Sequence, residues 1–218
     1  MVIFDCNGVL VDGEKIANSV LAEGFTAIGL PVTADVIARK FHGRRPADII
    51  QTVETATKKR LPIGFTSAVS EEILRRFRAE LRPIAHAARA LTWVRGPKAV
   101  ASSSPFERIQ TSLEITGLIN FFSQRLFSGS GVPKGKPAPD LFFHAAGRME
   151  VDPADCIVVE DSVAGVSAAA AAGMTPIGFV GGNDAAGRLA HDLGQAGARA
   201  VIADLRALHG TIVDLRGW

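Results

Sequence analysis

Six short apolar runs, rich in β-branched residues, recur along this sequence and limit its fold more than any other feature. Continuous apolar runs of this length are typical of strands that are buried on both faces, as in a parallel sheet. Helical segments between them would supply the crossovers of an open α/β fold. The six runs occupy residues 2–5, 98–104, 125–129, 156–161, 175–182 and 198–202.

Residues 15–82 contain no such run, and their apolar side chains recur at helical spacing instead. An all-helical segment placed directly after the first strand is expected to form an inserted subdomain. We therefore predict an α/β fold with a Rossmann-like parallel-sheet core, residues 1–14 and 83–218, and an all-helical cap, residues 15–82. The helical positions are Ile16, Val20, Leu21, Phe25 and Ile28, then Ile49, Ile50 and Val53, then Ile73, Leu74, Phe77 and Leu81.

Composition narrows the class of protein. The 218 residues carry a net charge of only +2, and the scattered lysines and arginines argue against a nucleic-acid-binding surface. No apolar stretch is long enough for a membrane span, and the first residues lack the pattern of a signal peptide. Both cysteines, Cys6 and Cys156, lie in apolar runs and suit a reducing compartment. We expect a soluble, cytoplasmic monomer or homodimer.

Helix-start signals lie close behind several predicted strands. Residues 104–107 match a capping box with Pro105 at the first helical position. Pro139 and Asp140 open a second helix, and Ser162 precedes an alanine-rich third one. A helix N-terminus favours an anion because its free N–H groups and its dipole point toward it. In open α/β sheets such sites lie at the carboxyl ends of the strands.

The polar residues around these strand ends form a consistent set for phosphoryl transfer. A carboxylate can act as the nucleophile, acidic residues can hold Mg²⁺, and a hydroxyl and an ammonium can bind the phosphoryl oxygens. Attack on a phosphate dianion needs this positive charge to offset repulsion. The residues are Asp5, Ser102, Lys136, Glu160 and Asp161.

Four segments carry these residues, and together they resemble the four motifs of the haloacid dehalogenase (HAD) superfamily. The segments are FDCNGVLVDGE, VASSSP, KGKPAPDLF and VVEDSVAG. They occur in the family's order, with Asp5, Ser102, Lys136 and Asp161 separated by 97, 34 and 25 positions. The helical insertion between the first two motifs is similar to the family's type 1 cap. The resemblance covers essentially the whole chain and points to the phosphatase and β-phosphoglucomutase-like subfamily.

The resemblance implies a hydrolase that acts on a small phosphorylated metabolite. Asp5 would be the nucleophile and form an aspartyl-phosphate. Ser102, with the neighbouring backbone and Ser103, would bind the phosphoryl group. Lys136 would pair with Asp5 and with the phosphate.

The resemblance also implies Mg²⁺ as the cofactor. Asp5, the backbone carbonyl of Asn7 and Asp161 would hold the ion. Glu160 would act directly or through a water molecule, or it would only orient the inner ligands.

The cap stretch FHGRRPADII, residues 41–50, is similar to the substrate-specificity loop of the family. Gly43 permits tight backbone geometry, and Arg44 and Arg45 suit a phosphate or a carboxylate on the substrate. An exposed charged loop is the other interpretation. His42 lies in the same stretch. Residues 183–184, Asn and Asp, fit either the mouth of the site or a solvated turn.

Asn7 departs from the phosphatase pattern, which has a second aspartate there as general acid and base. An amide cannot carry a proton at neutral pH, and general acid–base catalysis contributes roughly 10²–10⁴-fold. Three explanations stay open: an engineered trap, a natural enzyme that tolerates the amide or recruits another base, and a weak or silent protein that binds phosphoesters.

Other chemistries of the family also lack the second aspartate. L-2-haloacid dehalogenases use no metal and lack the acidic pair of the fourth motif, so Glu160 and Asp161 argue against that activity. Phosphonoacetaldehyde hydrolases use a cap lysine where this chain has Pro46, although the cap contains other lysines. β-Phosphoglucomutases have a histidine at the position of Ala17, so a mutase is disfavoured. Phosphonate cleavage stays an alternative to phosphatase activity.

Overall fold

The sheet contains six parallel strands in the order β3-β2-β1-β4-β5-β6. The structure is a computed structural model that describes residues 1–181 and 186–217. Each strand falls within one of the six apolar runs, which confirms the predicted α/β fold class. The strands are β1 Val2–Phe4, β2 Lys98–Ser102, β3 Leu126–Ser128, β4 Ile157–Glu160, β5 Thr175–Phe179 and β6 Ala200–Ile202.

Both faces of the sheet are buried, as the continuous apolar runs predict. Alternate residues of β1 point to opposite faces: Val2 and Phe4 join one apolar cluster, and Ile3 joins the other. The described helices are α1 Glu14–Ala27, α2 Ala34–Phe41, α3 Pro46–Thr57, α4 Phe65–Glu80, α5 Ala87–Trp93, α6 Phe106–Ile115, α7 Asp140–Arg148, α8 Val163–Ala171, α9 Ala186–Gln195 and α10 Leu208–Arg216.

Helices α1 to α4 form the inserted cap. They share an apolar cluster of their own, centred on Phe25, Ile37, Ile49 and Phe65. Phe77 of α4 instead belongs to the cluster that covers one face of the sheet, so this helix joins the cap to the core. The periodicity of residues 15–82 predicted α1, α3 and α4, and we propose residues 15–82 as the limits of the cap.

The predicted capping box at residues 104–107 is wrong in its hydrogen bonding. Helix α6 begins at Phe106, and no side chain caps its N-terminus. The Ser104 hydroxyl instead accepts a hydrogen bond from the Asn7 amide at 3.0 Å, and the Ser104 carbonyl accepts one from Ser128. Contacts between loops that are distant in the sequence therefore replace the local cap. By contrast, Ser162 does cap α8, where its Oγ accepts a hydrogen bond from Gly165 N–H at 3.0 Å.

None of the described helices combines the length and apolar character needed to cross a membrane.

Candidate active site

The catalytic candidates meet where the order of the strands reverses. Successive strands are added outward from β1 in both directions, and this leaves a crevice at the carboxyl ends of β1 and β4. Phe4 is in register with Val159, and Asp5 N–H donates to the Val159 carbonyl at 3.0 Å. Asp5 and Glu160 therefore leave the sheet side by side.

Lys136 links these two carboxylates. Its side chain is fully buried, and its Nζ lies 2.7 Å from Asp5 Oδ1. The same ammonium donates to a carboxylate oxygen of Glu160 and, at 3.2 Å, to the Ala101 carbonyl. All three donors of the ammonium are thus engaged, and they fix the orientation of the Asp5 carboxylate.

The electrostatics of the site are dominated by burial. Burial raises the pKa of Asp5 to about 8; Lys136 opposes this rise, and Glu160 and Asp161 add to it. Burial lowers the pKa of Lys136, but the charges of Asp5 and Glu160 outweigh it and keep that pKa above its ordinary value. The lysine therefore stays protonated and pairs with both Asp5 and Glu160.

Two glycines make room for the acidic pair of β4. A Cβ atom at Gly165 would lie only 2.0 Å from the carboxyl carbon of Glu160. Gly8 has a φ of +84°, and a Cβ there would lie 1.8 Å from Asp161 Oδ2. The Ser162 hydroxyl donates to Glu160 Oε2 at 3.0 Å and so holds this carboxylate from the other side. Both carboxylates are therefore fitted closely against the backbone.

This donor set fits a divalent cation. Mg²⁺ prefers carboxylate and carbonyl oxygens, and the buried carboxylates of Asp5 and Asp161 are donors of this kind. The absence of a side chain at Gly8 leaves the Asp161 carboxylate open toward the first motif. Asp5 and Asp161 are thus suited to hold a metal, with Glu160 between Lys136 and Ser162 in a supporting position.

The structure adds His42 to this region, a residue that the sequence only placed in the cap loop. Its Nε2 lies 3.0 Å from Glu14 and 3.2 Å from Asp161. Burial lowers the pKa of His42, but Asp161 and Glu14 outweigh it and hold the pKa well above its usual value. Among the described residues, these three side chains form the group whose ligand atoms all lie within 4.8 Å of one another. The cap thus contacts the predicted metal site directly.

The serines of the second motif have separate positions. The buried Ser102 ends β2 at the edge of the cavity, and its Oγ accepts a hydrogen bond from Ser104 N–H at 3.4 Å. Ser103 turns to the cap and donates to the Gly43 carbonyl at 2.6 Å. Gly43 has a φ of +76°, and a Cβ there would lie 2.3 Å from Ser162 Oγ. Gly43 therefore lets the cap loop approach both core motifs.

The two arginines of the cap loop differ. Arg44 is exposed and lines the cavity. Arg45 forms a two-point ion pair with Asp48, at 2.8 and 2.7 Å, and donates to the carbonyls of Gly129 and Val132 in the core. Four of its five N–H donors are thus engaged, and it does not line the cavity. The structure therefore places Arg45 as a link between cap and core.

Asn7 lies in the cavity beside Asp5. Its Nδ2 donates to Ser104 Oγ at 3.0 Å, whereas its buried Oδ1 has no hydrogen-bond partner among the described residues. A buried amide oxygen without a donor is costly, by about 1–3 kcal/mol. The surrounding residues therefore provide a partner for the Nδ2 of Asn7 but none for its Oδ1.

A cavity that is partly open to solvent lies between the cap and the carboxyl ends of the strands. Its floor includes Asp5, Asn7 and Ser102. The cap contributes mostly apolar and small polar side chains to the lining of this cavity. Asn183 and Asp184 lie outside the described residues. The cap-side lining comprises Glu14, Ala17, Asn18, Leu21, Phe41, His42, Gly43, Arg44, Pro46, Ile49, Ile50, Phe65, Thr66, Val69, Ser70 and Ile73.

Arg108 also lines this cavity, and the motif analysis did not select it. It lies in the first turn of α6 and is only 7% exposed. The sequence does carry a signal for Arg108: it is an arginine three residues beyond the second motif, in a helix that must pack against the sheet.

Comparison with known proteins agrees with this geometry. The sequence profile of the haloacid dehalogenase-like hydrolases matches residues 1–173. The 6-phosphogluconate phosphatase of Escherichia coli is 34% identical over 180 residues, 79% of each chain. A phosphorylated carbohydrates phosphatase of Thermotoga maritima is 31% identical, covering 81% of this chain and 82% of that protein.

A solved structure supports the same relationship. A haloacid dehalogenase-like protein of Agrobacterium tumefaciens superposes with a TM-score of 0.80 at 32% identity, over 99% of this chain and 98% of that one. The profile match spans most of the chain, and the shared fold includes the helical cap. The chain belongs to the haloacid dehalogenase-like hydrolase family.

Proposed function

We propose that this hydrolase cleaves phosphate monoesters of small sugars or sugar derivatives through an aspartyl-phosphate on Asp5. One observation carries the proposal: the Asp5 carboxylate opens into the cavity while a buried ammonium, Lys136, holds it at 2.7 Å. An ion pair at this depth orients a nucleophile and offsets the charge of an incoming phosphate dianion.

The other core residues have complementary roles in the proposal. The Ser102 hydroxyl and the backbone N–H groups after β2 would bind the phosphoryl oxygens. Glu160 would hold Lys136 in place. The cap would exclude water and set specificity through the loop around Gly43, with the exposed Arg44 at the mouth of the cavity.

Asp5, the backbone carbonyl of Asn7 and Asp161 would hold Mg²⁺, with Glu160 in support. The bound ion would offset the negative charge of the phosphoryl group in the transition state. His42 occupies the flank of Asp161 in the structure, at 3.2 Å, so cap and metal would share this carboxylate.

The names of the relatives support the substrate class. The Escherichia coli and Thermotoga maritima proteins are named for 6-phosphogluconate and for phosphorylated carbohydrates. A molecule of this class would bind in the cavity between the cap and the strand ends.

Asn7 favours a second candidate, a protein that binds phosphoesters and turns them over slowly or not at all. An amide at this position can donate to a leaving-group oxygen but cannot return a proton to water.

Phosphonate cleavage is less well supported. It would need a lysine amine facing the substrate, and no lysine of the described chain lines the cavity. The cap lysines Lys40, Lys58 and Lys59 are exposed.

The test compares Mg²⁺-dependent hydrolysis of phosphorylated sugars, sugar acids and alditols by this chain and by Asn7→Asp. We expect Asn7→Asp to gain roughly 10²–10⁴-fold on at least one ester, the usual contribution of a general acid and base. The double variant Asp5→Asn/Asn7→Asp is the matched control and should be inactive.

Two results would contradict phosphatase activity. If neither the parent nor Asn7→Asp hydrolyses any ester while both bind Mg²⁺, the proposal is wrong. If the double variant retains the activity, Asp5 is not the nucleophile. Binding of an ester by the parent without turnover, with gain of turnover in Asn7→Asp, would identify a silenced phosphatase.

A further inference from the structure

Arg108 is a buried cation that the proposed phosphatase chemistry does not use. The side chain is 7% exposed, and its Nε is shielded from solvent without a hydrogen-bond partner. No carboxylate among the described residues forms an ion pair with it. Burying a charge without a partner is expensive, so a fold retains one where something else supplies the counter-charge.

The pKa of Arg108 indicates that its side chain is charged. Burial lowers the pKa of Arg108 to about 10, and Cys6 is the one titratable neighbour that acts on it. The pKa still lies far above neutrality, so the guanidinium is charged.

Arg108 faces the substrate space. It lines the same cavity as Asp5, Asn7 and Ser102, at the boundary where α6 packs against the cap helix α4. The phosphoryl group already has Lys136 and the second motif near Asp5. The α4 residues that line the cavity are Phe65, Thr66, Val69, Ser70 and Ile73, none of which is charged. An anion at this end would therefore find Arg108 as its counter-ion.

We propose that Arg108 binds a carboxylate on the organic part of the substrate, so that the preferred substrates are phosphorylated sugar acids. A guanidinium presents parallel N–H donors that match a carboxylate in two-point geometry. The proposal deepens the proposed function and rests on it for the phosphoryl group. It makes Arg108 a specificity-determining residue.

The contrast with Arg45 separates this role from a structural one. Arg45 has a carboxylate and two carbonyls as partners and is expected to stabilise the fold. Arg108 has none of these, so Arg108→Met should leave the melting temperature of the ligand-free protein unchanged or raise it. Methionine preserves the apolar stem of the side chain and the volume beneath the cap.

The experiment measures binding, which does not require turnover. In an Asp5→Asn background, isothermal titration calorimetry with Mg²⁺ compares a phosphorylated aldonate with the phosphorylated alditol of the same length. The two ligands differ only in the carboxylate. We expect the aldonate to bind at least tenfold more tightly, Arg108→Met to abolish that preference, and Arg108→Lys to restore part of it. The alditol Kd should change less than threefold in Arg108→Met.

Three results would overturn the proposal. Equal loss for both ligands in Arg108→Met would assign Arg108 to the phosphoryl group. Equal affinity for the aldonate and the alditol in the protein that retains Arg108 would show that it has no carboxylate-binding site. A large fall in melting temperature for Arg108→Met would make the arginine structural. The Asn7→Asp activity test can fail while the binding preference persists, so the two proposals are distinguishable.

Discussion

The substitution Gly165→Ala tests how tightly the structure holds Glu160. Gly165 lies in α8 with its Cα against the Glu160 carboxyl group, and an added Cβ would lie 2.0 Å from the carboxyl carbon and 2.1 and 2.2 Å from the oxygens. Ordinary contacts begin near 3.4 Å, so the carboxylate must retreat by more than 1 Å. It cannot do so without weakening its contacts with Lys136 and Ser162.

The magnitude follows from those contacts. Removing one partner of a buried ion pair outright costs about 3–5 kcal/mol, and a displaced carboxylate keeps part of the interaction. Alanine in a helix is favoured over glycine by about 0.5–1 kcal/mol, which offsets some of the loss. We expect a net destabilisation of about 1–3 kcal/mol, or a fall of about 3–10 °C in melting temperature for a chain of this size.

Gly147→Ala is the matched control for thermal unfolding. Gly147 lies inside α7, and an added Cβ there would meet no atom within 4 Å. The same substitution should therefore raise the melting temperature slightly by favouring the helix. If Gly165→Ala is as stable as Gly147→Ala, the Glu160 carboxylate is not held as described, and the reasoning fails.

Two further predictions concern the cap and the metal. Arg45→Met removes the hydrogen bonds to Asp48 and to two core carbonyls and should destabilise the fold by about 1–3 kcal/mol. Arg44→Met is the control and should change the free energy of unfolding by less than about 0.5 kcal/mol. Equal melting temperatures for the two variants would contradict the role of Arg45 in joining the cap to the core. Burial raises the pKa of Asp5 to about 8 and that of Asp161 to about 6, so both carboxyls hold protons at low pH that Mg²⁺ must displace. Calorimetric Mg²⁺ affinity should therefore rise from pH 6 to pH 8 with release of protons, and a constant affinity would refute this.

The sheet could be predicted from the sequence because a strand that is buried on both faces is a continuous run of apolar residues. Each of the six runs contains one strand. The ends of β1 and β4 place Asp5 beside Glu160, and Lys136, in the loop between β3 and α7, contacts both. Strand order follows from family resemblance and sheet rules rather than from any local pattern. Helices α2 and α5 span only 8 and 7 residues and were not predicted, since a segment this short gives few repeats of a helical pattern.

The contacts between cap and core could not be predicted from the sequence. His42 reaches Asp161, Arg45 reaches the Gly129 carbonyl, and Ser103 reaches Gly43, each across 60 to 119 positions. No local rule places two separate loops at hydrogen-bond distance. The capping-box prediction failed for the same reason, because Ser104 found a partner in Asn7 rather than in its own helix.

The central position of β1 has a consequence for how the enzyme is made. Val2 pairs with Lys98 on one side and with Ile157 on the other, 96 and 155 positions later in the chain. Pairings this distant are formed late, because the entropy of closing such long loops must be overcome first. On the ribosome, β1, which directly precedes Asp5, is enclosed on both sides only after β4 has emerged. Hydrolytic activity should therefore appear only when nearly the whole chain has been synthesised, and no shorter nascent fragment should carry it.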